Sequence, residues 1–192
     1  METRPATGII GSYLRDVADV ISRLPVHDIE KIVGVIAQAR RQKNKVLIFG
    51  NGGSAATASH FACDLSKGAM RKGSPRIRAL ALTDSLPILT AWANDSDYEN
   101  IFAEQIECHV EVGDVVIAIS GSGNSPNVLK GVAVARRMGA TTIGLTAFGG
   151  GKLKDVVDVP LVVPVHNMEQ AEDVHLVLEH VIATCLRSAE SA

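Results

Sequence analysis

The sequence predicts an α/β fold in which a parallel sheet is covered by helices on both faces. Three observations carry this. Five short apolar runs, at residues 46–49, 77–82, 115–119, 142–145 and 161–163, do not alternate polar with apolar, as expected of strands buried on both sides. Stretches with helical spacing separate them, at residues 54–66, 86–93, 98–110 and 126–138. Aromatic residues make up 4% of the chain and hydrophobic residues 46%, so Val, Ile, Leu and Ala must build the core.

Two further helices precede the first strand. Residues 8–24 place Ile9, Tyr13, Leu14, Val17, Val20, Ile21 and Leu24 at helical spacing. After Pro25, Ile29, Ile32, Val33, Val35, Ile36 and Ala39 mark a second helix, with Arg40, Arg41 and Lys43 complementing the dipole at its end. Neither contains a plausible site, so both are expected to serve packing or oligomer contacts. A last helix spans residues 168–187. The 192 residues suit one domain, residues 1–192, with residues 1–44 as a helical arm packed on it.

Composition excludes several partners. A net charge of −2 provides no electrostatic case for nucleic acid or an anionic membrane. No apolar run approaches the ~20 residues of a membrane helix, and no targeting segment opens the chain, so a soluble cytoplasmic protein is expected. Cys63, Cys108 and Cys185 are odd in number and far apart, which suggests three reduced, buried thiols.

Ligands of open parallel sheets bind beyond the carboxyl ends of the strands, and two such ends are rich in Gly and Ser. One reads Ser120-Gly121-Ser122-Gly123-Asn124-Ser125 and opens a helix at Pro126. Glycines there let the backbone approach an anion, three hydroxyls donate to it, and the helix dipole favours negative charge. No Lys follows as in a nucleotide-triphosphate loop. Capping by Ser125 explains one serine, not three. The other end reads Gly50-Asn51-Gly52-Gly53-Ser54-Ala55. It formally meets a dinucleotide fingerprint, but Asp84 lies too far along to be its acidic partner.

These two loops, the continuation through His60-Phe61-Ala62, and Asn94-Asp95 before Tyr98 resemble the SIS sugar-isomerase superfamily. Within it they are most similar to the phosphoheptose isomerase family, over essentially the whole chain. The resemblance implies a five-stranded parallel sheet in a three-layer αβα sandwich, the SIS domain with an N-terminal helical extension. It implies a homotetramer with sites between subunits and a phosphorylated sugar as substrate. Ser120, Gly121, Ser122 and Ser125 would hold the phosphate. Asn51, Gly52, Gly53 and Ser54 would line the sugar, with Asp95 and Glu169 nearby. A zinc-capable cluster would fall on His60, Asp64, Glu172 and His180, with Asp64, Glu172 and His180 as catalytic residues. Spacing supports part of this, since His60 and Asp64 share one helix face, and Glu172 and His180 lie about two turns apart.

The chain also departs from the family pattern. Asp64 stands for Glu, Glu172 for Gln, Glu169-Gln170 for Asp-Arg, and Gly121 for Thr. Asp64 is one methylene short, which sets a carboxylate back by roughly 1 Å, an error that can cost ~10²-fold in rate. The implied reaction is aldose–ketose isomerisation through an enediolate, of sedoheptulose 7-phosphate or of another ketose phosphate such as an octulose phosphate. The competing class is a non-catalytic SIS module that binds a sugar phosphate or a replication initiator. His60, an acid at 64 and His180 together favour catalysis, because a binding module has no need of all three. His27, His109, His166 and His175, Trp92, and the basic run Lys67, Arg71, Lys72, Arg76 and Arg78 are expected to be packing or solvated groups.

Overall fold

The computed structural model describes residues 6–188; residues 1–5 and 189–192, the two ends of the predicted domain, lie outside the described residues. The strands β1 (Lys45–Gly50), β2 (Arg78–Ala81), β3 (Val115–Ser120), β4 (Thr141–Thr146) and β5 (Val159–Val162) form one sheet in the order β2-β1-β3-β4-β5. Every neighbouring pair is parallel. β3 is buried along its whole length, and β1 and β4 are buried after their first residue, which is why their sequences do not alternate. β2 is an edge, and there Arg78 and Leu80 are exposed.

Helices cover both faces. On one face α2 (Val26–Gln42), α3 (Gly53–Cys63) and α8 (Met168–Ser188) pack Ile32, Ile36, Phe61, Val174 and Leu178 against Val46, Ile48, Ile117 and Ile143. α1 (Ala6–Ser22) joins this layer through Val20. On the other face α5 (Ala103–His109), α6 (Pro126–Arg137) and α7 (Leu153–Val156) pack Ile106, Val132 and Leu153 on Leu47, Phe49 and Val116. Leu89 and Trp92 of α4 (Leu86–Asp95) lie against the same cluster. Alternate residues of β1 therefore serve opposite cores, as a pleated strand requires.

Four features differ from the sequence expectation. The helix expected over 98–110 breaks: a tight turn at Tyr98–Asn100 precedes α5, and Ile101 and Phe102 between them turn into the core. The helix expected over 54–66 leaves α geometry at Asp64 and continues as one π turn, Asp64–Gly68, closed by Ala69 N–H donating to the Asp64 carbonyl at 2.7 Å. α7 and the turn Phe148–Gly150 are too short to leave a periodic pattern. Finally, Cys63, Cys108 and Cys185 are unpaired but exposed rather than buried, because the inward positions of their helices are taken by Phe61, Ile106 and Ile182.

His175 is an inward-facing residue of α8, 1% exposed, with Nε2 3.3 Å from the Thr146 carbonyl. Burial pulls its pKa down from 6.5 to about 4, against a smaller opposing effect of that carbonyl. The unfolded chain therefore takes up this proton first as pH falls. The stability His175 contributes is complete above pH 6.5 and is lost between there and about 4, on the order of 3 kcal/mol in all. Urea unfolding of the wild type and His175→Gln at pH 7.5 and 4.5 should show the wild type losing more stability on acidification. Equal losses would mean that His175 is not held neutral.

Candidate active site

The carboxyl ends of β1 and β3 lie side by side, with Gly50 opposite Ile119 in the register. β1 leads to β2 on one side while β3 lies on the other, so the two strand ends form the crevice where open α/β sheets bind ligands. A cavity of about 270 Å³ opens there, lined by Asn51, Gly52, Gly53, Ser54, Ile119, Ser120, Gly121, Ser122, Ser125, Met168 and Glu172.

The hydroxyls of the serine loop are not spent on capping. Ser125 begins α6 but makes no side-chain cap bond; its Oγ lies 3.3 Å from Ser120 Oγ. Ser122 Oγ accepts the Asn124 N–H at 3.2 Å. The loop itself is locked: Gly123 N–H donates to the Ser120 carbonyl at 3.0 Å, Leu153 N–H to the Gly123 carbonyl at 2.9 Å, and Ala147 N–H to the Gly121 carbonyl at 2.9 Å. At Gly121, where the family pattern has Thr, a Cβ would sit 2.6 Å from the Met168 sulfur, so a side chain there requires the flexible, exposed Met168 to swing aside. Such a preorganised, hydroxyl-lined cup at the start of a helix suits a phosphate group.

Asn51 at the rim is held by a residue that sequence reasoning missed. Its amide exchanges two 2.9 Å hydrogen bonds with the Asn127 amide, which is 2% exposed. Tyr98 Oη donates a third to Asn51 Oδ1 at 3.1 Å. The signal was an amide one position inside α6, where a solvated residue would serve as well.

From the cavity α3 and α8 run side by side in the same direction. Gly53 faces Glu172, whose carboxylate occupies the space a Cβ at 53 would need. Seven residues further along each helix, His60 Nδ1 lies 3.2 Å from Glu179 Oε1. His180 Nε2 lies 3.7 Å both from that oxygen and from Asp64 Oδ2, and the two imidazoles meet edge to face at 5.0 Å. Ligand atoms of His60, Asp64, Glu179 and His180 all lie within 4.8 Å of one another. Asp64 reaches this group from the first residue of the π turn.

The sequence-derived cluster thus changes in one member. His60, Asp64 and His180 come together, but Glu172 stays at the cavity, seven residues before Glu179 and so about 10 Å away along the helix. Glu179 was overlooked, although an acid at position 179 shares the face of Val174, His175, Leu178 and Ile182. It is completely buried, and burial, then the charge of Asp64, pushes its carboxyl up to about 8. Eight of the ten expected sugar-phosphate residues line the cavity; Asp95, paired with the Asn94 amide, and Glu169 are exposed elsewhere. None of Lys67, Arg71, Lys72, Arg76 and Arg78 lines it.

Comparison with known proteins places the chain in a family. Residues 12–147 match the SIS domain model. The phosphoheptose isomerase of Aquifex aeolicus is 42% identical over 83% of this chain and 83% of that protein. That of Rhodospirillum rubrum is 37% identical over 94% and 96%. The structure of the Neisseria gonorrhoeae phosphoheptose isomerase superposes with a TM-score of 0.90 at 29% identity, covering 96% of this chain and all of that one. The chain belongs to the SIS domain family, among its phosphoheptose isomerases.

Proposed function

We propose that the chain interconverts sedoheptulose 7-phosphate and a heptose 7-phosphate through an enediolate. One observation carries this reading: an acid–imidazole cluster lies two helical turns from a serine-lined anion cavity, along the same pair of helices. Seven residues of helix span about 10 Å. An open-chain heptose phosphate can bridge that distance, with its phosphate in the serine loop and its carbonyl end at the cluster, whereas a triose phosphate cannot. The relatives named as phosphoheptose isomerases point to the same substrate.

Asp64 removes the proton from C1, next to the ketose carbonyl, and returns it to C2. His180, beside Asp64 and about half exposed, moves the proton between the two oxygens of the enediolate. Glu172, which lines the cavity, is the second acid within reach of the sugar. Ser120, Ser122 and Ser125 hold the phosphate, and Asn51, fixed by Asn127 and Tyr98, orients the hydroxyls.

The donor set fits zinc, with two imidazoles and one carboxylate oxygen each from Asp64 and Glu179 within 4.8 Å of one another, and both Glu179 oxygens buried without a hydrogen bond. His60, Asp64 and His180 are three residues that would hold it. When bound, the metal would polarise the carbonyl and stabilise enediolate charge.

A homotetramer is supported by Ile9, Ile10 and Leu14 of α1, all more than half exposed, which need a cover. Asp95 and Glu169 would then act at a site shared between subunits. Light scattering should return four times the chain mass. A cytoplasmic location is supported by three unpaired, exposed thiols, and among the described residues no helix is long and apolar enough to cross a membrane.

Incubating the protein with sedoheptulose 7-phosphate, with and without zinc, and following the aldose signal by NMR tests the proposal. Appearance of the heptose phosphate is expected. Turnover of an octulose phosphate in place of the heptulose would reassign the chain length, and no conversion of either would remove the isomerase reading.

A further inference from the structure

Two loops meet at the cavity, and one pair of side chains joins them. Asn51 follows β1 directly, and Asn127 stands in the first turn of α6, just after the serine loop. Their amides close on each other: Asn51 Nδ2 donates to Asn127 Oδ1, and Asn127 Nδ2 donates to Asn51 Oδ1, both at 2.9 Å. The Val128 N–H, shared with the Ser125 carbonyl, also donates to Asn127 Oδ1, at 3.0 Å. That bond decides which way both amides point, since turning Asn127 over would set its NH2 group against an N–H. Tyr98 Oη then donates to Asn51 Oδ1 at 3.1 Å and fills its second lone pair. Of the hydrogen-bonding capacity of the Asn51 amide, one hydrogen on Nδ2 is left.

We propose that Asn127 and Tyr98 are positioning residues that make Asn51 a fixed donor: its amide offers the ligand one N–H and no acceptor, and the ligand meets it with an oxygen lone pair. This builds on the reading of the cavity as a sugar-phosphate site. Asn51 lines that cavity, whereas Asn127, 2% exposed, does not, so Asn127 acts through Asn51. An asparagine held by nothing can present either its oxygen or its nitrogen. Here turning Asn51 over would break three hydrogen bonds at once. The pair also ties the end of β1 to the start of α6, which fixes the sugar-contacting amide relative to the phosphate cup before any ligand arrives. A carbonyl or hydroxyl oxygen of the sugar satisfies the free N–H; a deoxy position leaves it unpaired.

The test is the Kd for sedoheptulose 7-phosphate by titration calorimetry, with turnover by NMR beside it, in single and double variants. Asn127→Leu keeps the approximate shape and removes both amide bonds, and its Kd should rise at least about 10-fold. Tyr98→Phe, at an exposed position, should raise Kd about 2–10-fold with an unchanged melting temperature. In an Asn51→Ala background, itself weaker, neither change should cost anything further, because its route to the ligand is gone. A merely structural Asn127 would lower affinity alike in both backgrounds. Asn51→Asp keeps an oxygen for Asn127 and Tyr98 but replaces the free N–H by a lone pair, so it should bind no better than Asn51→Ala. Should Asn127→Leu fail to fold, Asn127→Ala, which only deletes atoms, takes its place. Wild-type affinity in the Asn127 and Tyr98 variants, equal losses with and without Asn51, or tighter binding by Asn51→Asp than by Asn51→Ala would each overturn the proposal. A chain that shows the expected pattern of affinities yet converts no ketose phosphate would overturn only the isomerase reading, and a wild type that binds no ketose phosphate would overturn both.

Discussion

His180→Ala is expected to lower turnover of sedoheptulose 7-phosphate by about 10²–10⁴-fold while leaving the fold intact. His180 is about half exposed and meets the rest of the protein chiefly through Asp64, Glu179 and the edge of His60, so its removal opens no core cavity. It does remove the group placed to move a proton between neighbouring oxygens. Asp64→Asn keeps the shape of the side chain and deletes the base, and should lose turnover to a similar extent. Because one turnover needs both the carbon and the oxygen proton transfer, the double variant should be little worse than either single one. The measurement is initial rate by NMR, with the melting temperature as control. Near-normal rates in both variants would move the base to Glu172, and Glu172→Gln in the same series shows whether they have.

Gly123→Ala should damage both stability and phosphate binding. Gly123 has φ +64°, which favours glycine, and an added Cβ would run into the Gly150 carbonyl behind the loop. Backbone faces backbone there, so no side chain can swing aside. We expect a loss of at least about 3 kcal/mol, which for a chain of this size is roughly 6–12 °C in Tm. KM for the sugar phosphate should rise 10-fold or more as the serines lose their positions. Gly149→Ala separates the two causes: its φ is +79°, but nothing lies within 4 Å of its Cβ position, so it carries backbone strain of about 1–2 kcal/mol and no collision. Equal effects in the two variants would mean that the packing of the loop against Gly150 is irrelevant.

The sheet was legible in the sequence because buried strands have a plain signature. The three central apolar runs lie inside β1, β3 and β4, and the helices between strands fell near their observed positions. The serine loop and the glycine loop were legible for a related reason, since glycine and serine concentrate where backbone meets anion. What stayed hidden depends on side-chain direction or on single residues. The π turn at Asp64 comes from one extra residue per turn, which a helical pattern absorbs without trace. The placing of Cys63, Cys108 and Cys185 depends on where α3, α5 and α8 are rotated about their axes. Glu172 and Glu179 both lie about two turns or less from His180, so helical spacing alone could not choose between them. The sign that could have chosen was the acid in an otherwise apolar stripe of α8.

α8 supplies Glu172 to the cavity and Glu179 and His180 to the cluster, and it follows every strand of the sheet. As the chain leaves the ribosome, Asp64 and the loops that hold the phosphate are synthesised first, and Glu172, Glu179 and His180 come after all of the sheet. A protein clipped before Met168 would retain every strand and the serine loop but have one imidazole and one carboxylate of the cluster, His60 and Asp64. Such a chain would also lose Val174, Leu178 and Ile182 from the core and Met168 and Glu172 from the cavity wall, so stability, binding and proton transfer all depend on the last helix to be made.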